Sequence, residues 1–134
     1  MNSDPLLISG KYWKISLNRY ETKARIGAYQ HERVLPQRLR LNVSVYVEKG
    51  AAPVSELSEV FNYDRVIEAI EAVVQEGHID LQETLLERTA ERLLKYPEVA
   101  AVQIGSEKPD AYSKAESIGV EAFFSKDKER IKTE

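Results

Sequence analysis

Four side chains in this sequence have types and settings that could do chemistry: Glu83, Lys108, Tyr63 and Glu32. A carboxylate such as Glu83 or Glu32 offers two oxygen acceptors side by side. A lysine such as Lys108 can pass protons through water. A phenol such as Tyr63 can help transfer a proton or stack on a flat ring. Each also has a plainer reading. An acid in the first turn of a helix meets the helix dipole and caps free N–H groups. A lysine beside Glu107 in a loop is by default a solvated charge. Tyr63 could be a half-buried tyrosine at a helix start, and Glu32 an exposed loop acid. His31 and His78 read as supporting or turn-shaping residues. With two histidines and no cysteine, the chain cannot form a disulfide, a thiolate zinc site or a cysteine nucleophile. Nor can it assemble the usual three-ligand His or Cys/His zinc cluster.

The elements that must position these residues follow from periodicity. Leu39, Leu41, Val43, Val45 and Val47 alternate with polar residues, which predicts a long strand with one buried face. Trp13, Ile15 and Leu17 share that period and predict an earlier strand, continuing towards Ile26. The segment 27–36 would join the two as an antiparallel pair. After a loop at 51–58 the period changes. Val66, Ile67, Ile70, Val73 and Val74 form one helical stripe that stops near Gly77. Leu81, Leu85, Leu86, Ala90, Leu93 and Leu94 form a second, ended by Pro97, with Asp80 and Glu83 as an acidic capping box at its start. Ala100, Val102 and Ile104, then Ile118, Val120, Ala122 and Phe124, predict two closing strands joined by 108–116. The order ββααββ implies an α+β fold: a four-stranded antiparallel sheet with both helices on one face. The other sheet face would be polar or covered by another subunit.

Length and composition are compatible with this. The 134 residues fit a single domain at 11–125, with a loose start at 1–10 and a polar tail at 126–134. A formal net charge of −3 argues against nucleic acid or an anionic membrane as the main partner. The start lacks the pattern of a secretory signal, and no apolar run approaches a membrane span. The missing cysteines fit a reducing, cytoplasmic setting.

Four segments in this order resemble the dihydroneopterin aldolase family. They are Ile26-Gly27-Ala28-Tyr29-Gln30-His31-Glu32-Arg33 with Pro36-Gln37; Asn62-Tyr63-Asp64; Gly77-His78-Ile79-Asp80-Leu81-Gln82-Glu83-Thr84-Leu85 with Glu87-Arg88; and Glu107-Lys108-Pro109-Asp110-Ala111 with Ala115-Glu116-Ser117-Ile118-Gly119-Val120-Glu121. The resemblance implies the tunnelling fold, in which four-stranded units assemble into tetrameric barrels and stacked octamers with active sites between subunits. It implies a carbon–carbon lyase of folate synthesis that uses no metal and no cofactor and takes a pterin substrate. It implies that Glu83 binds the pterin 2-amino group and ring N–H, with Gln82 contributing a backbone N–H. Lys108 would relay protons, Tyr63 would reach a neighbouring subunit's pterin, and Glu32 would lie near the substrate tail.

Two features depart from the family pattern. The first loop lacks an aromatic-Gly-x-His-Gly run, and Gln82 stands where an apolar residue often precedes the anchoring glutamate. Two alternatives share the fold: a dihydroneopterin triphosphate 2′-epimerase and a non-catalytic pterin-binding protein. The epimerase would need a basic cluster near the substrate tail, for which Arg25, Arg33, Arg38 and Arg40 are the candidates.

Overall fold

A computed structural model describes residues 4–50, 53–56 and 60–126. The chain runs α1 (Pro5–Ile8), β1 (Tyr12–Ala24), α2 (Gln30–Val34), β2 (Gln37–Glu48), α3 (Asp64–Val74), α4 (Gln82–Leu94), β3 (Val99–Lys108) and β4 (Ile118–Ser125). The four strands form one antiparallel sheet in the order β1-β2-β3-β4. The expected α+β class and the ββααββ core are present, with two short helices added. The first ten residues, expected to be loose, contain α1, whose start is capped by the Asp4 carboxylate. Residues 51–52 and 57–58 of the expected loop, and 127–134 of the expected tail, lie outside the described residues. Lys126 is described, and its Nζ donates to the carbonyls of Tyr96 and Pro97.

The core lies between the sheet and the helix pair. Leu39, Leu41, Val43, Val45 and Val47 all face it and are buried, as their alternation requires. From α3, Val66, Ala69, Ile70 and Val73 pack inward. From α4, Leu85, Leu86, Ala90 and Leu93 do the same. The inward stripe of α4 omits Leu81, which precedes the helix and is exposed.

Two bulges escape a strict period of two. In β1 the register shifts between Leu17 and Tyr20, where β1 spends one more residue than β2. Before the shift the odd residues face the core; after it, Tyr20, Thr22 and Ala24 do, because one extra residue flips the face. Arg19 sits there at φ 54, and its N–H is held by Asn42 Oδ1 at 2.8 Å. A second shift, between Tyr46 and Val47, makes Ala100 the extra residue of β3. The inward series of β3 is therefore Val99, Val102, Ile104 and Ser106, not the alternation expected from Ala100.

The second sheet face is mostly polar around an apolar patch of Tyr46, Ala101 and Phe123. Tyr46 points to it yet is 1% exposed. The start of the chain covers it: Tyr46 Oη donates to Asp4, Lys14 pairs with Asp4 at 3.2 Å, and Phe123 meets the ring edge-on. Among the described residues no helix is long and apolar enough to cross a membrane.

Candidate active site

Glu32, Lys108 and Gln82 gather at the sheet end where β1 and β3 finish and β2 and β4 begin. The chain leaves β1 through Arg25-Ile26-Gly27, which pairs with the segment leading into α4. Gly27 N–H donates to Ile79 O at 2.9 Å, and Ile79 N–H donates to Arg25 O at 3.0 Å. Ile26 and Ile79 are both buried. His78 Nε2 lies 2.7 Å from the Gly27 carbonyl, so this histidine shapes the turn, as its position suggested. The loop before α2 and the start of α4 are thereby fixed to one another.

Glu32 is not the exposed loop acid that its local sequence allows. The α2 turn folds it inward, leaving it 7% exposed. Its Oε1 accepts the Tyr29 N–H at 3.2 Å. Its Oε2 accepts Gln37 Nε2 at 3.0 Å and Lys108 Nζ at 2.9 Å. Burial, the largest single influence, pushes the carboxyl pKa up. The bonds from Lys108, Gln37 and Tyr29 together outweigh it and hold the group below its ordinary value. Gly27 lies beside it. Its φ is 133°, and a Cβ there would lie 2.0 Å from Glu32 Oε1.

Lys108, the last residue of β3, is largely buried against this carboxylate. The pair lies in an open cleft of about 540 Å³ whose lining includes Tyr29, Glu32, Gln37, Gln82, Lys108 and Tyr112. Tyr29 and Tyr112 are exposed at its rim. Asp110, also on the rim, is held by Arg38 through two bonds of 2.9 and 2.8 Å. That guanidinium keeps the Asp110 carboxyl below the usual range.

The start of α4 meets the same cleft through Gln82, which is 8% exposed. The cap differs from the expected box. Leu81 is the N-cap and makes no side-chain cap bond. Asp80 instead pairs with Arg33 at 3.0 Å. Glu83 follows Gln82, is exposed and lies outside the cleft lining.

Tyr63 stands apart. It precedes α3, is 68% exposed and does not line the cleft. Two residues on, Arg65 pairs with Glu98 at the start of β3, whereas Lys108 ends that strand. Ten residues of strand separate the two ends by about 30 Å. Tyr63 therefore cannot enter the cleft of its own chain.

The structure thus brings Glu32, Lys108 and Gln82 together, places Glu83 one residue beyond Gln82 but outside the cleft lining, and leaves Tyr63 away. It adds Gln37, which stands in the motif-bearing Pro36-Gln37, and Tyr29, which stands in the first segment. Ser106 carries no local signal, because a serine in a strand is unremarkable until its burial is known. The four arginines do not converge on the cleft. None of them lines it; Arg33 pairs with Asp80, and Arg38 and Arg40 pair with Glu21, Asp110 and Glu107. Among the described residues there is no group of three or more His, Cys, Asp or Glu that could hold a metal ion.

Comparison with known proteins gives a consistent picture. Residues 15–123 match the family model for dihydroneopterin aldolase. A dihydroneopterin aldolase of Streptomyces coelicolor is 29% identical over 99 residues, covering 73% of this chain and 83% of its own length. The crystal structure of a dihydroneopterin aldolase from Burkholderia thailendensis, bound to guanine, superposes with a TM-score of 0.79 at 35% identity. It covers 92% of this chain and 97% of its own. The E. coli dihydroneopterin aldolase in complex with neopterin has the same fold, with a TM-score of 0.75 at 22% identity over 84% of this chain and 99% of its own.

Proposed function

The chain belongs to the dihydroneopterin aldolase family, and from that membership and the cleft we infer that it cleaves 7,8-dihydroneopterin into 6-hydroxymethyl-7,8-dihydropterin and glycolaldehyde. The observation that carries this reading is the Glu32–Lys108 pair, buried in a cleft whose other wall is the start of α4.

The relative bound to guanine supports a pterin ligand. Guanine and pterin share one edge: an amino group, a ring N–H and a carbonyl in a row. An ionised glutamate offers two acceptors that match the two donors. The first N–H groups of a helix have no partner within it and can meet the carbonyl. Glu83 and the backbone at Gln82 supply this combination, so the ring is anchored there and its side chain extends towards Lys108.

The cleavage needs the 2′-hydroxyl proton removed and the C1′–C2′ bond broken. The electron pair of that bond flows into the C6=N5 imine, protonated at N5. Glycolaldehyde departs with its carbonyl formed at C2′; C1′ of the resulting enamine then takes up a proton and N5 gives one up, which restores the C6=N5 imine and completes the hydroxymethyl product. The pterin ring is the electron sink, so the step draws on no metal, no cofactor and no lysine imine. Lys108 moves the protons through water, and Glu32 holds the ammonium in place. Tyr63 acts from a second copy of the chain, which makes the working enzyme an oligomer with sites between subunits. Its exposure and its distance from the cleft support that role.

The pairing of Arg33, Arg38 and Arg40 with carboxylates favours an unphosphorylated substrate tail over a triphosphate. The test supplies purified protein with dihydroneopterin and, separately, its triphosphate, and resolves the products by chromatography. Glycolaldehyde from the free alcohol is expected; an epimer of the triphosphate without cleavage would replace this reading with epimerisation. Lys108→Ala is expected to abolish turnover and keep pterin binding, whereas Glu83→Ala is expected to lose binding by calorimetry.

A further inference from the structure

The core facing α4 contains a polar bridge that the reaction above does not use. Gln82, the first residue of α4, sends its side chain to the sheet rather than into solvent. Its Oε1 accepts the Ser106 hydroxyl at 2.6 Å, and both residues are buried. Its Nε2 reaches towards the Ile118 carbonyl at 3.4 Å. Ser106 lies two residues before Lys108 on the same strand. Ile118 is the residue that pairs with Lys108 across the β3–β4 ladder. One side chain therefore ties the helix start, where Glu83 follows, to both strands at the point where Lys108 stands.

Apart from Thr89, which is buried and whose hydroxyl makes no hydrogen bond among the described residues, the buried face of α4 is apolar: Leu85, Leu86, Ala90 and Leu93, packed in one core with Val102, Ile104 and their neighbours. Apolar burial is not directional, so such a face tolerates small sliding. A buried hydrogen bond with a short donor–acceptor distance does not, because displacement leaves a desolvated polar group unpaired. We propose that Gln82 and Ser106 are positioning residues that set the spacing between the helix start bearing Glu83 and the strand end bearing Lys108. A bond of this kind contributes register more than net stability. The consequence is chemical. The ring held at α4 must present its side chain to Lys108, and errors on the scale of an ångström at a reacting centre cost about a hundredfold in rate. The inference rests on the assignment of Glu83 and Lys108 made above.

The test compares Ser106→Ala, Gln82→Leu and the double variant with the wild type in three measurements: thermal midpoint, kcat with KM, and a crystal structure. Each single variant leaves one buried polar partner and is expected to lower the midpoint. The double variant replaces both partners with apolar groups and is expected to recover it. kcat is expected to stay about tenfold or more below wild type in the double variant, with KM within about threefold, because the helix is no longer pinned. A bridge that serves stability alone would return kcat together with the midpoint, and that result overturns the proposal. If the wild type releases no glycolaldehyde, the aldolase reading fails. The positioning claim is then decided by the crystal structures: a displaced α4 start in the double variant upholds it, and an unmoved one overturns it.

Discussion

Removing Lys108 from Glu32 should destabilise the fold as well as stop the reaction, and the two effects can be separated. At 2.9 Å, two unit charges attract by about 6 kcal/mol at an effective dielectric of 20. Most of that is offset by desolvation, since the two side chains are only 12% and 9% exposed. A charge-assisted bond of this kind nets about 2 kcal/mol. In Lys108→Met the carboxylate keeps Gln37 and Tyr29 as donors but loses the one cation that pairs with it among the described residues, so a loss of about 3 kcal/mol is expected. Glu32→Gln strands the ammonium and should lose a similar amount. The double variant should lose less than the sum, with a coupling of about 2 kcal/mol by urea unfolding at pH 7. The Glu32 pKa is lower in the folded chain than its ordinary 4.5. Its contribution is therefore present above that value and is lost as pH falls through the depressed folded value. Coupling should be full at pH 7 and fade on acidification below about 4.5. A coupling below about 0.5 kcal/mol at pH 7, within the error of additivity, would refute the reasoning. So would an acid limb of stability left unchanged in Glu32→Gln.

Three further outcomes follow from the same geometry. Gly27→Ala should destabilise by about 3 kcal/mol and lower turnover, because φ 133° and a Cβ at 2.0 Å from Glu32 both oppose it; denaturant unfolding and the turnover assay measure this. Tyr20, which bonds to Glu71, has its pKa pushed up to about 12 by burial and then by that carboxylate. Its share of stability is complete below pH 10 and lost as pH rises through 12, so Tyr20→Phe should flatten the alkaline limb of the thermal midpoint. Co-expressing the Tyr63→Phe and Lys108→Ala chains should restore part of the turnover that each lacks alone. A hybrid no more active than its parents would remove Tyr63 from its neighbour's site.

The architecture was legible because burial imposes a period, and this chain obeys it in its longest runs. The alternation at 39–47 survives in the structure, as do the two helical stripes once Leu81 is left out of the second. The failures lie where one residue breaks the period. The Arg19 bulge reverses the facing of β1, and Ala100 drops out of β3. Neither is visible in a count of apolar residues, since a bulge shows only when the partner strand is known. Tyr46 lies on the second sheet face and is nevertheless buried. Its burial comes from Asp4 and Lys14, which reach it from the start of the chain.

The site was legible only in pieces, and the missing piece is the relation between them. Glu32, Gln82, Glu83 and Lys108 could each be picked out by type and motif. What the sequence left open was whether Glu32 is solvated or buried, and whether Gln82 offers its backbone alone. Both answers depend on contacts that span long stretches of chain: Glu32 with Lys108, and Gln82 with Ser106 and Ile118. Such contacts have no local signature, because neither partner constrains the identity of its sequence neighbours. Gly27 is the instructive exception. It is a glycine because a carboxylate occupies the space of a side chain, so the position of Glu32 is written five residues earlier. Read in that direction, Gly27 in the Ile26–Arg33 segment points to an acid that turns inward, and a side chain at 27 should strain the backbone and displace the carboxylate from Lys108.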